Sequence, residues 1–180
     1  MDDRELVEAV QRGEREYLNV IAAKYYDDVF RFCCYHTGDM EESYDLAQET
    51  FLRFIRYVDR YRHKNLKGYL LTIAMNVCRD YFRQKKNQEL VGLEEWEAEG
   101  DGVSEDPGQE AVSRDEEDRL WRALGELPDF QREVLILHCY YGFRYREIGK
   151  MLGVKTATVK SRMKQGTEKL KRRLRREDFR

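Results

Sequence analysis

The residues with the clearest chemical message lie near the C-terminal end. Between Lys155 and Arg176 stand ten lysines and arginines against one acid, Glu168. Such a density of positive charge suits a polyanion, and binding through it should fall steeply with salt. The apolar residues in the same stretch, Val159, Met163, Gly166, Leu170 and Leu174, step by four, three, four and four, which defines one buried stripe of a helix. At about 100° per residue, Ala157, Ser161, Lys164 and Glu168 fall at the centre of the opposite face, flanked by Thr158, Lys160 and Gln165. Short polar and basic side chains are what a helix offers to base edges in a major groove. Thr158, Lys160, Ser161, Lys164 and Gln165 are therefore the candidate base readers. Gln165 suits an adenine edge, and Lys160 or Lys164 suits guanine acceptors or phosphate. Arg162 points to the side and, with Arg144, Tyr145, Lys155, Thr156 and Lys169, suits the DNA backbone.

The elements that must position this face are also visible. Ile148 and Leu152 give a preceding short helix an apolar side. Gly153 permits the positive φ of a tight turn, and Thr156 has the chemistry of an N-cap for the basic helix. A basic amphipathic helix by itself also fits a solvated or membrane-surface helix. The turn glycine, the preceding helix and the capping threonine in this order favour a helix-turn-helix. Upstream, Pro128 and Asp129 start a helix with Phe130, Val134, Leu137 and Cys139 or Tyr140 facing inward, ended by Gly142. Ser113 and Glu116 have capping-box spacing for a helix that runs to about Gly125.

The N-terminal half has its own helical pattern. A short helix is expected near residues 2–11. Leu18, Ile21, Ala22, Tyr25, Val29, Phe32 and Cys33 form one stripe, broken at Thr37-Gly38-Asp39. Asp39 and Glu42 have capping-box-like spacing for a helix with Ala47, Phe51, Phe54, Ile55 and Val58 on one side. Residues 59–65 read as a basic, aromatic loop. A fourth segment carries Leu66, Leu70, Ile73, Val77 and Tyr81 on one side, with Arg79, Arg83, Lys85 and Lys86 on its other side and end.

Charge divides the chain. Residues 1–90 hold 15 basic and 16 acidic side chains, residues 91–120 hold 2 and 12, and residues 121–180 hold 16 and 7, which together give the net charge of −2. With two prolines and 38% charged residues, the expected fold class is all-α. The expected organisation is two small helical domains, 1–87 and 113–180, joined by a flexible acidic linker at 88–112. That linker is a solvated tether or an acidic screen for the basic module. No apolar run reaches the roughly 20 residues of a membrane span, and the start lacks signal-peptide order, so a cytoplasmic protein with no membrane insertion is expected. The four cysteines show no CxxC spacing, and adjacent Cys33 and Cys34 point different ways on a helix. Neither a metal nor a cofactor is expected. No nucleophile–base pair suggests an enzyme.

Several segments are similar to one family. Residues 45–53, DLAQETFLR, resemble the core-polymerase-binding signature D-L-V-Q-E-T-F-L-R of bacterial sigma factors. Residues 68–83, GYLLTIAMNVCRDYFR, look like the promoter-melting region. Leu127-Pro128, Tyr145-Arg146-Glu147-Ile148-Gly149 and Thr158-Val159-Lys160-Ser161-Arg162 resemble the family's L-P, Y-x-E-I-A and T-V-[KR]-S-R signatures. The chain thus resembles the extracytoplasmic-function group, which keeps the second and fourth conserved sigma domains.

The resemblance implies roles. Asp45, Gln48, Glu49, Phe51 and Leu52 would dock the clamp helices of the polymerase's largest subunit, with Phe51 mostly core. The C-terminal domain would meet the flap region. Arg60, Tyr61, Arg62, His63, Lys64 and Asn65 would capture a flipped base of the −10 element, chemistry that a basic loop with an aromatic suits. Asn76, Arg79, Asp80 and Arg83 would lie on the strand-separating helix, and the basic helix would read the −35 element. An anti-sigma factor, usually membrane-anchored, is a further implied partner. Departures occur at Glu42-Ser43-Tyr44-Asp45, where the family has D-A-E-D, and at Gln165-Gly166-Thr167, where it has R-A-R. The −10 loop lacks the usual Phe and Gly pattern.

Overall fold

A computed structural model of the chain describes residues 1–62, 65–91 and 111–178. His63 and Lys64 of the expected −10 loop, and residues 92–110 of the expected linker, lie outside these. All regular elements among the described residues are helical, as expected from the sequence. They fall into two compact units, Met1–Glu97 and Ala98–Arg180.

The first unit contains α1 (Asp3–Gln11), α2 (Tyr17–Thr37), α3 (Met40–Tyr57), a 3₁₀ turn (Val58–Arg60) and α4 (Leu66–Val91). α1 starts with a complete capping box between Asp2 and Glu5. α2 stops at Gly38, whose φ of 68° satisfies the last turn in the left-handed region. Asp39 then caps α3 by accepting from the backbone N–H groups of Glu41 and Glu42. Glu42 does not complete the box, because the Asp39 N–H donates to Thr37 Oγ1 instead. The core is where the four helices meet. Val7, Ile21, Val29, Phe32, Phe54, Leu66, Leu70, Leu71 and Met75 are almost entirely buried. Burying each such side chain contributes about 1.5–3 kcal/mol. Cys33 and Cys78 meet there too, and their hydrogen bond together with burial pushes the Cys33 thiol far up, so it stays protonated.

The second unit contains α5 (Ala111–Gly125), α6 (Asp129–Leu135), a π turn (Ile136–Tyr140), α7 (Tyr145–Leu152) and α8 (Thr156–Asp178). α5 begins at Ala111, so the Ser113–Glu116 spacing lies inside the helix and not at its cap. α6 is the central helix: every residue from Gln131 to Leu137 is buried. The inward face expected for it is corrected in part. Val134 and Leu137 are buried, but Phe130 and Tyr140 are 44% and 43% exposed, and Cys139 is exposed. For Cys139 and Tyr140 the cause is the π turn, in which the Tyr141 N–H reaches back five residues to Ile136 O and shifts the helical phase; Phe130 lies before it, in the first turn of α6. Arg132 is buried with its charge shared between Asp129 and the C-terminal carbonyl of α5 at Gly125.

Candidate nucleic-acid interface

α7, the turn and α8 pack as a helix-turn-helix. Gly153 ends α7 with a φ of 66°, and the Val154 N–H bonds back to Gly149 O at 2.9 Å. Gly149 has no room for a side chain, since an added Cβ would lie 2.9 Å from Val154 O. The Lys155 carbonyl accepts from Thr158 and Val159 N–H groups. Lys155 is therefore the capping residue and Thr156 the first helical one, so the helix starts one position earlier than the sequence suggested.

The stripe arithmetic for α8 agrees with the packing. Val159, Met163 and Gly166 are buried, whereas Ala157, Lys160, Ser161, Lys164, Gln165 and Glu168 are exposed. Thr158 is half-buried at the edge. Gly166 lets α8 close on α6, where an added Cβ would meet Leu135 Cδ1 at 3.0 Å. Gln165 is exposed, yet its Oε1 accepts from Gln131 Nε2 at 3.2 Å. A two-point pair with adenine needs both amide atoms, so this geometry works against the adenine edge expected for Gln165. Arg162 is half-buried, with its guanidinium 5.2 Å from the Phe130 ring centre.

Around this face, Lys155, Lys169 and Arg144 are exposed and Thr156 is half-buried. The Arg144 N–H is tied to Glu147 Oε2 at 2.8 Å, which fixes the entry to α7. Tyr145 lies against the His138 ring, 4.6 Å between centres. Arg173 pairs with Glu126, in the turn after α5, and so is partly spent inside the unit.

In the first unit, the candidate residues separate into two kinds. Arg60, Arg62, Asn65, Asn76, Arg79 and Arg83 are exposed. Tyr61 is 7% exposed, and this corrects the expectation that it offers a ring to an unstacked base. Its ring packs on Tyr69, 5.0 Å between centres, and its carbonyl accepts from Gln11 Nε2 of α1. Burial pushes its phenol up to about 12. The sequence offered a different aromatic that was missed. Tyr57, at the end of α3, is 43% exposed with the Arg60 guanidinium 6.0 Å from its ring. Arg62 is folded back on its own loop, donating to Asp59 O and Tyr61 O. Asn65 accepts from the Gly68 N–H and so caps α4.

Asp80 is half-buried and engaged. It holds Arg53 of α3 at 2.8 Å and Arg83 at 3.6 Å, while Arg53 also holds Glu49 at 2.7 Å. Arg53 is a residue the sequence reading assigned no role, since nothing in the spacing of α3 shows that it reaches α4. Among the docking candidates, Asp45, Gln48 and Leu52 step three and four along α3 and are exposed, Leu52 by 57%. Phe51 is half-buried against Tyr26, 6.2 Å between ring centres. Tyr44, at the family's acidic position, is 47% exposed and stacks on Phe30 at 4.5 Å. Ser43 is buried, sharing a hydrogen bond with Thr37 Oγ1.

Residues 21–88 match Sigma-70 region 2, and residues 117–170 match Sigma-70, region 4. The chain is 34% identical over 148 residues to the ECF RNA polymerase sigma factor SigE of Mycolicibacterium smegmatis, covering 81% of this chain and 56% of that one. It is 35% identical over 135 residues to the ECF RNA polymerase sigma factor EcfG of Rhodopseudomonas palustris, covering 74% and 72%. Its fold is similar to that of the sigma factor RpoE from Bartonella quintana, solved in complex with the anti-sigma factor NepR, with a TM-score of 0.72, 20% identity, and coverage of 89% and 98%. The two regions match in the order in which the N-terminal bundle and the helix-turn-helix occur, and the chain belongs to the ECF family of RNA polymerase sigma factors.

Proposed function

We propose that the chain joins core RNA polymerase and directs it to promoters by placing α8 in the −35 major groove, while the first unit takes the −10 element and helps open it. The observation that carries this reading is the face of α8. Ser161 and Lys164 are exposed opposite buried Val159, Met163 and Gly166, and exposed Lys160 and Gln165 flank them. Side chains of that length on a helix docked by phosphate contacts can reach base edges. For the −10 strand, exposed Arg60, Asn76, Arg79 and Arg83 supply charge, and Tyr57 supplies the ring that buried Tyr61 does not. Asp45, Gln48 and Leu52 form the docking surface for the clamp helices. In the second unit, exposed Tyr140 with half-buried Trp121 against its ring makes an apolar surface that suits the polymerase flap. An anti-sigma factor that covers these surfaces would silence the protein. No helix among the described residues is long and apolar enough to cross a membrane, and the work proposed here takes place in the cytoplasm. Catalysis belongs to the polymerase.

The test is run-off transcription with core polymerase and a promoter library. Promoter-selective transcripts are expected. Tight duplex binding by the free protein without any selective transcript would overturn the reading. Gln165→Ala should alter preference at one −35 position, while Arg162→Ala should weaken all promoters alike.

A further inference from the structure

Two neighbouring residues in the first turn of α6 each hold one side chain of α8. The Phe130 ring lies beneath the Arg162 guanidinium. Next to it, Gln131 Nε2 donates to Gln165 Oε1 at 3.2 Å. Gln131 is 3% exposed and lies against Gly166, where an added Cβ would come within 3.4 Å of Gln131 Cβ. Its own Oε1 is buried without a hydrogen-bond partner, so the link to Gln165 is the one that satisfies this amide. The orientation shown is also the cheaper one. Turning both amides over would keep the bond but put an NH2 group where a lone carbonyl oxygen now sits, and orphaned buried donors are rarer than under-satisfied carbonyls.

We propose that Gln131 is a positioning residue that sets the base preference of Gln165. With Oε1 held inward, Gln165 offers only its two Nε2 hydrogens to the groove. A donor-only group selects a base edge that presents acceptors. Guanine, with O6 and N7, fits best, and the two-point adenine pair is lost. The neighbouring contact is the built-in control. Phe130 steadies Arg162, a backbone-contacting side chain, so it affects affinity for every sequence and not the choice among them. This inference rests on α8 being the −35 reader.

The experiment uses the full chain with core RNA polymerase on a promoter library randomised across the −35 element. Wild type, Gln165→Ala, Gln131→Leu, Gln131→Met, Phe130→Leu and the Gln131→Leu/Gln165→Ala double variant are compared by transcript sequencing. Both Gln131 substitutions should reduce the guanine preference by about 3- to 10-fold at the position where Gln165→Ala removes it, with adenine gaining. The double variant should match Gln165→Ala alone. Phe130→Leu should lower all promoters in parallel. A Gln131 variant that lowers all promoters in parallel has a merely structural role, and that outcome overturns the proposal. So does wild-type preference in both Gln131 variants when Gln165→Ala has changed it. If Gln165→Ala itself changes no preference, the base-reading role of Gln165 falls first, and the inference with it.

Discussion

In the second unit, Lys160, Ser161, Lys164 and Gln165 stand on one face of one helix, with its opposite face in the core. In the first unit, the candidate residues come from α3, α4 and the segment between them, and several are engaged inside the protein: Tyr61 is buried, Asn65 caps α4, Arg62 is tied to its own loop and Asp80 is held by Arg53. The difference matches the two tasks proposed for the units. Reading a duplex needs a stiff rod with a clean face, since the groove is already open. Handling separated strands needs a surface made from several elements, whose shape depends on how those elements are braced. The first unit has that bracing in the Glu49–Arg53–Asp80–Arg83 chain, which ties α3 to α4.

The largest expected effects test whether the two units behave separately. Phe32→Ala should destabilise by about 3–5 kcal/mol and Ile148→Ala by about 2–5 kcal/mol. Hydrogen exchange should show protection lost only in the unit that carries the change. Loss in both units from either substitution would mean one cooperative block, and the contrast would not hold.

Gly149→Val should follow, at about 1–3 kcal/mol, because even a Cβ meets Val154 O at 2.9 Å. Opening that turn tilts α8, so duplex binding should fall for all sequences while capture of core polymerase by the N-terminal unit persists. Binding assays on each partner separate the two, and intact duplex binding would show that the turn tolerates the strain. A smaller effect is expected at the bracing chain. A double-mutant cycle of Arg53→Met and Asp80→Asn should give a coupling of about 0.2–1 kcal/mol in urea unfolding, as both groups are about one-third exposed. Promoter opening should be impaired more than duplex binding. Equal impairment of the two would remove the assignment of this chain to the first unit's task.

The smallest effect concerns pH. Burial acts to raise the pKa of the Asp3 carboxyl, but hydrogen bonds from Lys24 and Tyr25, with the Lys24 charge, outweigh it and hold the pKa below the ordinary 3.8. A carboxylate with a lowered folded pKa contributes stability that is fully present above its unfolded pKa and lost as pH falls through the folded one. Asp3→Asn should therefore flatten the acid limb of the stability curve below about pH 4. Unfolding followed in the N-terminal unit should show the change, and the helix-turn-helix should not.

Features confined to one helix or one turn were legible in the sequence. The buried stripe of α8, the stop at Gly38, the Asp39 cap and the positive φ of Gly153 all follow from backbone geometry within a few residues. Helix phase therefore determined which side of α8 faces outward before any tertiary contact was known. The exposure of Tyr140 was not legible, because a π turn resets the phase without a glycine or proline to announce it. Tertiary structure alone decided that Tyr61 turns inward onto Tyr69 beside α1, that Arg53 reaches Asp80, and that Gln131 takes the oxygen of Gln165. The last two are contacts between side chains 27 and 34 residues apart. Periodicity orders residues around one axis, but it carries no information about which atom of a neighbouring helix stands opposite.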